Sequence, residues 1–151
     1  MNTGNINFDD GLQTITLNGD ENRKISWHPG DINFIDRFVN LTNYVEGEFK
    51  NKILGLEISD ETKIEDYNQG ALSELGKELC KKIDECFLTP VSQAAFMGVN
   101  PASPTSSGGF LYMNFLEALL PLVENTIDEF VSARKEYTDV AAQLREARGG
   151  E

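Results

Sequence analysis

The sequence predicts an α+β fold that is mainly α: an N-terminal β-hairpin followed by three to four helices, the last long and kinked near Pro121. Three observations predict it. Apolar and polar residues alternate up to Trp27, around an Asn18-Gly19 turn pair. From Asp31 onward the apolar residues recur every three or four positions. The 151 residues are 40% hydrophobic, nine Phe among them, which suits one domain with a core of its own. That domain is expected over 1–144, with the hairpin in 1–28, the helices in 31–144 and a frayed tail at 145–151.

Taken in order, Ile6 and Phe8 alternate with polar neighbours, and Gln13-Thr-Ile-Thr-Leu17 and Lys24-Ile-Ser-Trp27 do so again, leaving room for a third short strand. Ile15, Leu17, Ile25 and Trp27 would share one face. Asp20 and Glu21 lengthen the turn beyond the tightest type, and Gly11 beside Asp9-Asp10 marks a bend or bulge. Pro29-Gly30 stops the strand, and Asp31 is placed to cap the first helix. That helix carries Ile32, Ile35, Phe38, Val39, Thr42, Val45, Phe49 and Ile53 on its stripe and stops at Gly55.

The acidic stretch from Leu56 to Lys63 has no period, and a second helix is expected from Ile64 to Phe87, with Gly70 and Gly76 each costing up to about 1 kcal/mol. Thr89-Pro90 opens a short helix that ends at Gly98. Residues 100–109, rich in Pro, Ser and Gly, are expected to form an exposed, flexible loop. From Phe110 an amphipathic pattern continues through Ile127, Phe130, Arg134, Tyr137, Ala141 and Leu144, about 50 Å of helix. Pro121 removes one backbone bond and disfavours helical geometry at Leu120, so a kink or break is expected near residues 117–121.

Thirteen Lys and Arg against 25 Asp and Glu leave a net charge of −12. The excess is uneven: six bases meet thirteen acids in 1–67 and three meet eight in 68–131, but four meet four in 132–151. Such a surface repels phosphate, which argues against nucleic acid and anionic membranes as partners. The polar start and the lack of a long apolar run point to a cytoplasmic protein.

Catalytic signals are missing. His28 is the one histidine, so any Ser/His/Asp or Cys/His triad would have to use it, and no nucleophile motif accompanies it. Cys80 and Cys86 are six apart in a helical pattern and point about 120° away from each other, which suits two reduced thiols. The many adjacent acids match no calcium loop, no Cys/His set suits zinc, and Gly108-Gly109 has no Lys or Arg near it to hold an anion. No catalytic residue, metal or cofactor is therefore expected. The most apolar stretch holds Phe110, Tyr112, Phe115, Leu116, Leu119, Leu120, Leu122 and Val123, which cover more than one helical face. A helix apolar on several sides is central in the core, binds a partner with its second face, or both.

Four stretches carry a family resemblance: Ile6-Asn-Phe-Asp-Asp-Gly11, Ile25-Ser-Trp-His-Pro-Gly-Asp31 running into Arg37-Phe38, Phe96-Met-Gly-Val-Asn100, and Phe115-Leu-Glu-Ala-Leu-Leu-Pro-Leu-Val123. In this order the chain resembles the tail assembly chaperones of long-tailed bacteriophages and prophages of Gram-positive bacteria. It departs from that pattern at His28, where the family's turn has Asn, and in the insert Pro101–Gly109. The resemblance implies a non-enzymatic factor of the bacterial host cytoplasm that keeps the tape measure protein soluble and presents it to the tail-tube protein. Apart from the resemblance, apolar surface left uncovered on the Phe110–Val123 stretch would serve a client or a homo-oligomer. Two other readings stand beside it: a minor tail or connector component of the particle, and a small acidic inhibitor of a host protein.

Overall fold

The computed structural model describes residues 3–149. Asn18 and Gly19 both take positive φ, 54° and 70°, the pairing a two-residue hairpin turn requires. They join β1 (Gln13–Leu17) to β2 (Asp20–Trp27) in an antiparallel two-stranded sheet. Leu17 pairs directly with Asp20, so the turn is the tightest type and Asp20 belongs to the strand, a correction to the longer turn expected. The irregularity comes one step later. Thr16 pairs with Lys24, so Glu21, Asn22 and Arg23 bulge out of β2. Residues 3–12 form no strand; Asp9 and Asp10 accept instead from the amides of Gly11 and Leu12 in successive Asx turns.

Asp31 caps α1 (Ile32–Tyr44) as expected, its carboxylate accepting from the Asn33 amide at 2.9 Å. The buried face, however, is Phe34, Phe38 and Leu41, while Ile32 and Val39 are exposed. A π-turn at Val45–Phe49 and a short α2 (Lys50–Leu54) continue the helix to Gly55. Leu41 and Phe49, eight residues apart, would be about 80° out of line on a regular helix. The extra residue of the π-turn takes back about 100°, and both side chains reach the core.

The second helix starts later than expected. Ile64–Asp66 is a single 3₁₀ turn with Ile64 94% exposed, and α3 covers Ala71–Phe87. Gly70, at φ 95°, is the hinge ahead of α3 rather than a weak point inside it. Gly76 has a packing reason: a Cβ there would collide with the side-chain amide of Asn100.

The Thr89-Pro90 start is also corrected. The following helix, α4, is Ser92–Phe96, and its cap is Asp84, which accepts from the amides of Val91 (2.9 Å) and Ser92 (2.8 Å) and from the Ser92 hydroxyl. Residues 100–109 are more built than expected. Pro101 is fully buried, Asn100 donates to the Leu72 carbonyl and accepts from Ala102, and Pro104 bridges to Phe110.

α5 runs from Leu111 to Lys135 through Pro121, so of the kink or break expected there the break is absent. A turn at Glu136 separates it from α6 (Tyr137–Ala147), which extends past the expected start of fraying at Arg145. The last two residues of that expected tail, 150 and 151, lie outside the described ones.

One core joins these elements. Trp27 and Phe34 meet Phe87 at ring-centroid distances of 5.4 and 5.2 Å; Phe96 meets Phe115 at 5.5 Å and Phe49 meets Tyr112 at 5.2 Å. Aromatic contacts of this kind add to the apolar burial that holds the domain.

Candidate partner-binding groove

The eight residues expected to bind a partner divide by depth. Tyr112, Leu116, Leu119 and Val123 are buried, and Phe110, Phe115 and Leu122 are half-buried against the core. Only Leu120 is open, at 44% exposure. Most of the stretch is thus core, the first of the roles open to it, with residues of α1, α3 and α4 packed in the same cluster.

What remains is a groove. It runs between α1–α2 and the first turns of α5, with a volume of about 510 Å³. Thr42, Val45, Ile53 and Leu54 line one wall; Phe110, Met113, Leu116 and Leu120 line the other. Glu46, Lys50 and Glu117 stand among them as the charged groups. Such a cleft, apolar with a few charged residues, suits the side chains of a docked segment.

Val45, Ile53, Leu54 and Met113 were not among the residues expected to bind a partner. The first two fall on the apolar stripe of the first helix, and nothing in the local pattern marks where two distant segments leave a gap between them. Behind the groove, Lys52 on α2 meets Glu48 at 3.1 Å and Glu78 on α3 at 2.9 Å. Hydrogen bonds from Lys52 hold the Glu78 carboxyl below the usual carboxylate range. The Tyr44 hydroxyl is buried with no partner in bonding geometry; burial and the nearby Glu78 carboxylate push it far above the ordinary tyrosine range.

A larger depression, about 880 Å³, lies over α3 and α4 and includes Lys77, Cys80, Lys81, Asp84 and Ser92. It is more polar, and Asp84 and Ser92 within it are engaged with each other and with the amides that start α4. Burial raises the Cys80 thiol, and it pushes Cys86 up to about 12, so neither is an activated nucleophile near neutrality. Both cysteines are free. His28 is exposed at the end of β2, beside Asp10 and Asp31 in a small surface depression. Among the described residues no three His, Cys, Asp or Glu side chains group to hold a metal, and no helix is long and apolar enough to cross a membrane.

Compared with protein-family models, curated proteins and solved structures, the chain matches none. The likeness to tail assembly chaperones therefore rests on the sequence landmarks alone.

Proposed function

We propose that this chain is a non-enzymatic binding protein that holds an apolar stripe of a client in the groove between α1–α2 and α5. On the sequence resemblance, the client is the tape measure protein of a phage tail, kept soluble during assembly. The observation that carries the reading is the groove itself, where Leu54, Met113 and Leu120 are exposed while the other apolar side chains that line it are buried or half-buried. An amphipathic helix would lay its i, i+3 and i+4 side chains into such a cleft. The net charge of −12 favours a basic client.

Co-expression tests it. The tape measure protein encoded beside this chain is expected to become soluble and to co-purify with it through moderate salt. Leu120→Glu, at a position that contributes little to the core, is expected to abolish the complex while leaving the circular dichroism spectrum unchanged. An insoluble client, or a complex indifferent to this substitution, would overturn the reading.

A further inference from the structure

Beyond Thr126, no described side chain of the long helix or of α6 is buried. Ile127, Phe130, Tyr137 and Leu144 are 43%, 46%, 70% and 62% exposed. With Arg134 and Ala141 they form a stripe whose spacing is three, four, three, four, three, the repeat by which helices pair along a seam. It runs about 27 Å. Single exposed apolar residues need no explanation, but a continuous seam does.

The seam complements itself when inverted. Set antiparallel against its own copy, Ile127 faces Leu144, the large Phe130 faces the small Ala141, and the Arg134 guanidinium faces the Tyr137 ring, a favourable cation and aromatic pair. The charges beside the seam agree. Of the charged residues that flank the seam, Glu124 stands at one end and Arg145 at the other, so inversion brings acid to base, whereas a parallel pair would stack like on like. The turn at Glu136 falls at the middle of the seam, on the two-fold axis, where a bend in one copy meets the same bend in the other. The segment 132–151 is also where acids and bases balance, four against four, in a chain that is otherwise strongly acidic. Two copies approach there without the repulsion met elsewhere.

We infer that this chain forms a two-fold dimer through α5 and α6, paired antiparallel along Ile127, Phe130, Arg134, Tyr137, Ala141 and Leu144. The dimer is independent of the client reading, because the groove lies at the opposite end of α5.

Sedimentation equilibrium of the full chain is expected to give twice the 16.8 kDa chain mass. Phe130→Ala removes the large side of a layer and Ala141→Phe sets two large rings against each other, so each alone is expected to weaken the dimer about tenfold or more. Combined, they exchange large for small across the seam and should restore affinity to within about threefold of the original. Neither position contributes to the buried core, so the circular dichroism spectrum of each variant is expected to match that of the original chain. A chain that stays monomeric up to about millimolar concentration overturns the proposal, since a complex weaker than that is worth less than about 4 kcal/mol. So does a dimer indifferent to the single changes, or one the double change fails to rescue.

Discussion

The two ends of the long helix carry one apolar pattern and meet opposite fates. From Leu111 to Thr126, Tyr112, Leu116, Leu119, Val123 and Thr126 are buried; from Ile127 to Gly149 no described side chain is. The period does not change at that point. What changes is the company: α1, α3 and α4 pack against one side of the first half, where Phe115 meets rings from both Phe87 and Phe96. Periodicity says which side of a helix is apolar, and only the path of the rest of the chain says whether anything covers it.

The sharpest test of that contrast is a pair of truncations. Leu119→Ala, in the covered half, is expected to cost about 2–5 kcal/mol by urea denaturation, from lost burial plus the cavity left behind. Thr126 marks the boundary, its hydroxyl donating to the Pro29 carbonyl at 2.7 Å inside the core. Thr126→Val keeps the shape but strips that carbonyl of its partner, and about 1–3 kcal/mol should be lost in the same assay.

Burial raises the Tyr112 hydroxyl above its ordinary value of 10.0. The folded state therefore favours the neutral phenol: the stability tied to it is intact below pH 10 and drains away as pH rises through the raised value. Tyr112→Phe is expected to flatten the alkaline limb of a stability-against-pH curve. Phe130→Ala, in the uncovered half, should change urea stability by less than about 0.5 kcal/mol when measured dilute enough to keep the chain monomeric. A large loss there would mean that the second half is covered after all.

Local chemistry was the legible part of the sequence. Asn18-Gly19 announces the hairpin, Asp31 announces the first helix, and the three-four spacing announces α3 and α5, because each depends on residues within a few positions of one another. Contributions from far away stayed hidden. The π-turn that swings Phe49 inward answers to the core and has no residue signature of its own. Gly76 reads as a helix weakness until Asn100 arrives against it. The groove was half-legible. The pattern of α5 points to Leu120, but the opposite wall comes from Val45, Ile53 and Leu54, some seventy residues earlier.

α4 is the extreme case of such dependence. Five residues make too few internal bonds to stand alone in water. Both of its ends are held by side chains from elsewhere: Asp84 at the start, and at the end Arg23, whose guanidinium donates to the carbonyls of Ala94 and Ala95 at 2.8 and 2.9 Å. Arg23 reaches that end from the bulge in β2. The amides of Ala95 and Met97, which close this helix on Val91 and Gln93, thus lack a local way to open. Their deuterium uptake would act as a built-in gauge: it should stay silent through fraying of the surface helices and respond when the sheet parts from the helices.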